Sequence, residues 1–118
     1  MKAASLVVAF ALTLAAAAPL HADARDDAKK QVEFGIAVAQ RGLWREAIYR
    51  WQRATEIDPS YAAAFNNLAV AYEHEGDFEK ARQSYEKAVQ LDPDNALIKQ
   101  NYELFKEIND RTTRKDGQ

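Results

Sequence analysis

The sequence predicts an all-α protein built from antiparallel helix–turn–helix units. Alanine and charged residues are common in the 118 residues, whereas the chain has only four glycines and three prolines. This composition favours helices over strands and turns. The chain also repeats itself at a fixed spacing, because Asp58-Pro59 returns as Asp92-Pro93. A period of about 34 residues indicates stacked units of two helices each.

The segment over residues 1–24 differs from the rest of the chain and predicts an export signal. Lys2 is followed by an apolar or small-residue run over residues 3–18, and this short basic start with an alanine-rich run is typical of bacterial signals. We expect signal peptidase to cleave after Ala24, with Ala22 as the second choice, which predicts a periplasmic or secreted protein. The alternative is an uncleaved membrane anchor, although the run is shorter than the roughly 20 residues that span a bilayer.

The first unit, residues 28–61, has an apolar face on each predicted helix, but it differs from the second unit at two positions. One lacks a helix cap and the other is polar. Leu43 stands where the second unit has Asp77, so the start of its second helix lacks a side-chain cap. Gln31 stands where the second unit has Phe65, and we expect it to face solvent at the open end. Its apolar positions are Phe34, Val38, Trp44, Ala47, Ile48, Trp51 and Ala54. The two tryptophans lie on one helical face, which favours a core role over a ligand contact.

The second unit, residues 62–95, predicts two helices with complementary apolar faces. Phe65, Leu68 and Tyr72 recur at the spacing of one helical face. Gly76 suits the left-handed residue that ends a helix, and Asp77 can cap the helix that follows. The second helix carries an apolar face of Phe78, Ala81, Tyr85, Ala88 and Val89.

A fifth helix, residues 96–110, is predicted to cap the second unit with a polar outer side. Ile98, Tyr102 and Phe105 would pack on that unit, as repeat arrays require of a terminal helix. Residues 111–118 are polar and predict a flexible tail, so the folded domain would cover residues 25–110. Because arrays usually need three units for stability, two units also favour self-association.

With these positions assigned, both units resemble tetratricopeptide repeats. The second unit matches the family pattern at Phe65, Leu68, Ala69, Tyr72, Gly76, Ala81, Tyr85, Ala88 and Pro93. The first unit matches it at Phe34, Gly35, Gly42, Ala47, Trp51, Ala54 and Pro59, and departs from it at Gln31 and Val38. The resemblance implies five helices stacked in a short right-handed α-solenoid. It also implies a binding module whose concave surface, formed by the first helix of each unit, holds a peptide or partner protein.

The family register places an apolar column in the expected groove. Ile36, Val70 and Leu104 are separated by one repeat period each, and such a column suits an extended peptide or a helix with an apolar face. Asparagine amides beside it can bond a peptide backbone. The alternative is that these aliphatic side chains pack between helices and leave a shallow groove. The predicted groove residues are Val32, Ile36, Asn66, Asn67, Val70, Leu97, Asn101 and Leu104.

Composition and charge exclude several functions. The net charge of −2 gives no reason to expect nucleic acid, and no membrane contact is expected beyond the export signal. The chain has no cysteine, and His74 is the one histidine outside the predicted signal, so we expect no metal, no cofactor and no enzyme. An enzyme that uses His74 is the weakest alternative. Two stronger interpretations remain: an exported protein–protein interaction module, or a structural domain that self-associates through Leu104 and Ile108 as a homo-oligomer.

Overall fold

The computed structural model describes residues 20–117, and in that range the chain forms five helices and no strand. The helices are α1 (Leu20–Gln40), α2 (Trp44–Ile57), α3 (Ala62–Glu75), α4 (Phe78–Leu91) and α5 (Ala96–Asp116). The prediction of an all-α fold of five helices is therefore confirmed.

The helices stack as two antiparallel pairs followed by a single helix. α1 packs on α2 and α3 packs on α4, which are the two predicted units. α3 also packs on α2, α5 packs on α4, and α1 touches α3. This order joins the units into one helical solenoid, in which the first helices of successive units lie side by side.

The turn inside each unit follows the predicted chemistry. Gly42 and Gly76 have φ angles of +78° and +79°, a left-handed conformation that glycine adopts without a Cβ clash. Asp77 caps α4, because its Oδ1 accepts a hydrogen bond of 3.2 Å from the Lys80 backbone N–H. Leu43 gives α2 no side-chain cap. Both predictions about the helix starts are therefore confirmed.

The core of the first unit depends on a close approach between α1 and α2. Trp51 is buried, and its indole N–H donates to the Val32 carbonyl over 3.0 Å. A Cβ added at Gly35 would lie 2.7 Å from Trp51 Cδ1 and closer still to Nε1, inside van der Waals contact. The indole therefore occupies the space that a side chain at Gly35 would need. Trp44, the other predicted core tryptophan, is half-buried against the same core.

The structure differs from the sequence predictions at Gln31. We expected it to face solvent, but this was wrong: the residue is half-buried, and its Oε1 atom is buried without a hydrogen-bond partner among the described residues. Gln31 stands at the position of Phe65, which packs against the core of the second unit. The fold therefore partly buries this position in both units, whatever its polarity.

The structure also differs from the prediction in where the last helix ends. α5 continues past residue 110 to Asp116, and in this part Arg111 pairs with Glu107 one turn back while the hydroxyl groups of Thr112 and Thr113 donate to carbonyls one turn back. The predicted export signal over residues 1–24 lies mostly outside the described residues. Of the helices that are described, none is long and apolar enough to cross a membrane.

Candidate functional site: a groove across α1, α3 and α5

A groove of about 560 Å³ is formed jointly by α1, α3 and the start of α5. It collects residues from all three first-position helices, as stacking of the units requires. Five of the eight predicted groove residues line it, namely Val32, Ile36, Asn66, Asn67 and Leu97. The other three, Val70, Asn101 and Leu104, lie outside this cavity.

The apolar side chains of the predicted site are open to solvent to different degrees. Ile36 is 42% exposed, Leu97 is 62% exposed and Leu104 is 55% exposed. Val70 is half-buried and packs against the core formed by α3, α4 and α5. The column therefore exposes apolar surface on α1 and α5, whereas its middle residue, Val70 on α3, is less exposed.

The asparagines beside the column have different environments. Asn66 is only 6% exposed, and its Oδ1 accepts a hydrogen bond of 3.2 Å from Asn101 Nδ2. This contact links α3 to α5 through the side-chain oxygen of Asn66, which therefore has a structural role as well as a place in the groove lining. Val32 is also buried and forms part of the groove floor. Asn67 is half-buried and lines the cavity.

Two groove residues lie in the turns before α3 and α5 and were not predicted from the sequence. Tyr61 precedes α3 and Asn95 precedes α5, where the Asn95 side chain accepts from the Ile98 backbone N–H over 3.2 Å. The two residues are one repeat period apart, so the repeat register would have found them. The Tyr61 hydroxyl adds hydrogen-bonding capacity to the end of the groove where these helices begin, whereas the Asn95 amide also donates to Asp92 and is engaged within its own turn.

The same end is held by an ion pair between α1 and the turn after α2. Arg25 Nε donates to Asp58 Oδ2, and the Arg25 guanidinium lies 4.7 Å from the centre of the Tyr61 ring. Burial alone would raise the pKa of Asp58. Hydrogen bonds from Ser60 and Arg25 outweigh burial and hold that pKa below its ordinary value of 3.8. The pair fixes the wall that carries Tyr61.

The charges within the groove are few and balanced. Lys29 and Glu33, one turn apart on α1, supply one basic and one acidic group to its lining. Within the part of the chain that the structure describes, no group of three or more histidine, aspartate and glutamate residues could hold a metal ion. The chemistry that the groove offers is apolar contact with a few amide and charged hydrogen-bonding groups.

A wider cavity of about 690 Å³ lies at the turn between α1 and α2, beside Glu75 at the end of α3. Trp44, at its edge, stacks on His74 with ring centroids 4.1 Å apart. This aromatic contact joins the first unit to the second and was not predicted, since Trp44 and His74 belong to different units. One turn supplies most of the residues that line this cavity, whereas residues from three helices line the groove.

Comparison with protein families agrees with the repeat register. A family model described as "Tetratricopeptide repeat" matches residues 62–95, and one described as "TPR repeat" matches residues 35–76. Residues 35–95 are tetratricopeptide repeats. The first match has the same bounds as the predicted second unit. Proteins with these repeats bind protein partners and are mostly non-catalytic scaffolds.

Several curated proteins are similar to this chain. The Type IV pilus assembly protein PilF of Pseudomonas aeruginosa is 37% identical over 89 residues, which cover 74% of this chain and 35% of that protein. The small glutamine-rich tetratricopeptide repeat-containing protein 2 of Mycosarcoma maydis is 32% identical over 60% of this chain and 20% of its own. The Protein O-mannosyl-transferase TMTC4 of Mus musculus is 36% identical over 54% of this chain and 9% of its own.

The chain thus spans about a third or less of the length of each of these relatives. The transferase activity in the name of the mouse protein belongs to that protein, of which the match covers 9%.

Proposed function

We propose that this protein is an exported protein–protein interaction adaptor whose groove across α1, α3 and α5 binds a peptide or helical segment of a partner. The observation that carries the proposal is the exposure of Ile36 and Leu97 on the walls of a groove that three helices share. Apolar side chains that stay open to water in a concave site favour binding by burial.

The chemistry of the lining favours a protein ligand over a small charged one. Lys29 and Glu33 oppose each other in sign, so the groove has no net charge with which to select an anion or a cation. Asn67 offers an amide donor and an acceptor that match a peptide backbone. A segment with apolar side chains on one face would place them against Ile36 and Leu97 while its polar face stays in water.

Export is the second component of the proposal. It is supported by the apolar run over residues 3–18 and by the small-residue pattern that ends at Ala24. The similarity to a pilus assembly protein of Pseudomonas aeruginosa supports a role in building a larger protein complex. We therefore propose a periplasmic or secreted adaptor. Mass spectrometry of protein recovered from a fractionated bacterial host tests export, because the chain should begin at Arg25 or Asp23. An intact Met1 start in the cytoplasmic fraction would refute it.

The groove is tested by site-specific photo-cross-linking in the native host. A cross-linking amino acid at Ile36 should trap a specific partner, whereas the same group at Tyr49, exposed on α2, should not. Ile36→Glu should then abolish capture by a cross-linker at Asn67, which lines the groove but lies off the exposed side of α5, while circular dichroism stays unchanged. Tyr49→Glu, an equally exposed substitution, serves as the control. Capture that survives Ile36→Glu would contradict the groove as the binding site.

A further inference from the structure

α5 extends well beyond the part of it that packs on the domain. Phe105 is the last buried residue on this helix, yet the helix continues to Asp116. From Glu107 onward its described side chains are exposed, apart from the half-exposed Asn109. An isolated helical segment of about three turns is marginal in water. A partner that packs on this end of α5 would therefore stabilise the helix.

An apolar stripe runs along the exposed side of α5. Leu97, Leu104 and Ile108 are each more than half exposed, and Asn101 lies on the same side between them. The four residues are spaced by four, three and four positions, the spacing of one seam of a two-helix coiled coil. Of these four, only Leu97 lines the groove cavity. The stripe therefore shares Leu97 with the groove and continues past it along α5.

We propose that a second copy of this chain covers the stripe, with the two α5 helices antiparallel about a two-fold axis. In this alignment Leu97 packs on the partner's Ile108 and Asn101 packs on the partner's Leu104. Because the axis repeats every contact, the stripe is complementary to itself. Each copy then buries the three apolar side chains that it otherwise leaves in water.

The charges along α5 favour the antiparallel alignment. The same register points Arg111, which pairs with Glu107 on its own helix, towards Asp94 in the turn before the partner's α5, and both residues are exposed. A parallel alignment would set Arg111 against its own copy and bring together the basic last turn, which holds Arg114 and Lys115. Like charges that are brought close together repel, so the charges along α5 favour the antiparallel alignment over the parallel one.

The proposed contact is small. Three apolar residues from each copy cover less surface than the roughly 1,200–2,000 Å² that stable interfaces bury, so we expect a dimer with a dissociation constant on the order of micromolar. The inference goes beyond the adaptor function, since Leu104 and Ile108 lie outside the groove cavity. Ile36→Glu should leave the dimer intact, so failure of one proposal is distinguishable from failure of the other.

Disulfide trapping tests the alignment directly, because the chain has no cysteine of its own. Leu97→Cys and Ile108→Cys variants are produced from the full-length sequence in a bacterial host, mixed and oxidised. The antiparallel pair predicts a mixed disulfide between the two variants in excess of either symmetric disulfide. Symmetric disulfides alone would overturn the alignment.

Light scattering over a concentration series tests the association itself. The protein should shift from monomer to dimer, and Ile108→Glu should weaken the dimer by at least about tenfold. Thr113→Glu, on the opposite side of α5, should leave it unchanged. A protein that stays monomeric at every concentration, or equal weakening by both variants, would overturn the proposal.

Discussion

The two repeats fill the same core position with different aromatic residues. In the first repeat Trp51 lies against Gly35, and no side chain at Gly35 could share that space. In the second repeat Tyr85 and Ala69 occupy the two equivalent positions, and both are buried. The sizes of the two residues are therefore matched within each repeat, because the larger ring stands opposite the glycine, which lacks a Cβ.

The polar ends of the two rings are matched as well. The Tyr85 hydroxyl donates to Glu73 over 2.5 Å, and burial together with this bond raises the pKa of Tyr85 above its ordinary range. The first repeat has Ala39 at the position of Glu73 and so offers no carboxylate there. The Trp51 indole donates to a main-chain carbonyl of α1 instead. Each repeat therefore satisfies its buried donor with what its own first helix provides.

The largest test of this matching is Gly35→Ala. A Cβ so close to the indole forces Trp51 to move, and overpacking of this kind costs about 2–3 kcal/mol of unfolding free energy. Urea denaturation followed by circular dichroism measures the loss. Ala69→Gly, the reverse change in the second repeat, should cost about 1–2 kcal/mol, because it lowers helix propensity and removes a buried methyl group. Adding Trp51→Tyr to Gly35→Ala should recover part of the loss. A Gly35→Ala variant as stable as the parent protein would show that the sizes of Trp51 and Gly35 are not matched.

The turns that end the repeats differ in their charge partners. Asp58 accepts hydrogen bonds from Arg25 and from both the N–H and the hydroxyl of Ser60, whereas the Asp92 side chain accepts from Asn95 Nδ2. Asp58→Asn should lower the unfolding free energy by about 1–2 kcal/mol, a modest value because Arg25 is partly exposed. Asp92→Asn is the matched control and should cost less. Equal losses in the two variants would show that the Arg25 contact adds nothing.

The contribution of Asp58 to stability should also depend on pH. Because the folded pKa of Asp58 lies below its ordinary value, its contribution is complete at neutral pH. It is lost as the pH falls below about 4 and through the folded pKa. Asp58→Asn should therefore flatten the loss of stability between about pH 4 and pH 2, measured as urea midpoints at each pH. A variant with the slope of the parent protein would contradict this assignment.

The starts of α2 and α4 provide a smaller, reciprocal test. Asp77 caps α4 with its carboxylate, whereas Leu43 leaves α2 uncapped. Asp77→Ala should cost about 1 kcal/mol, and Leu43→Asp should gain a similar amount, because each change removes or adds one hydrogen bond to a free backbone N–H. Thermal unfolding of both variants measures the changes. A loss of stability in Leu43→Asp would mean that its exposed side chain packs more tightly than the structure indicates.

The smallest expected effect is at Gln31. Its amide oxygen is buried without a partner among the described residues, so Gln31→Leu should raise the unfolding free energy by about 0.5–1 kcal/mol. Gln40→Leu, at an exposed position of the same helix, is the control and should give no gain. An equal gain in both variants would assign the effect to helix propensity.

Features that depend on one turn of chain could be predicted from the sequence. The left-handed glycines and the difference between Leu43 and Asp77 follow from local backbone chemistry. The repeat period also indicated which helices line the groove, and it would have found Tyr61 and Asn95. The environment of Asn66 could not be predicted, because its burial depends on how closely α5 approaches α3. Periodicity identifies the face on which a residue lies, but not the neighbour across from it.

The position of α3 in the stack has a consequence for motion. This helix packs on both α2 and α4 and also touches α1, and it carries more buried residues than either α2 or α4. α5 packs on α4 and leaves its far end unsupported. In a stack where stability comes from neighbours, the central element opens last and the terminal one first. Amide hydrogen exchange should accordingly be slowest in α3 and fastest towards the end of α5, so that the central helix of the groove stays fixed while the part of α5 beyond the groove opens.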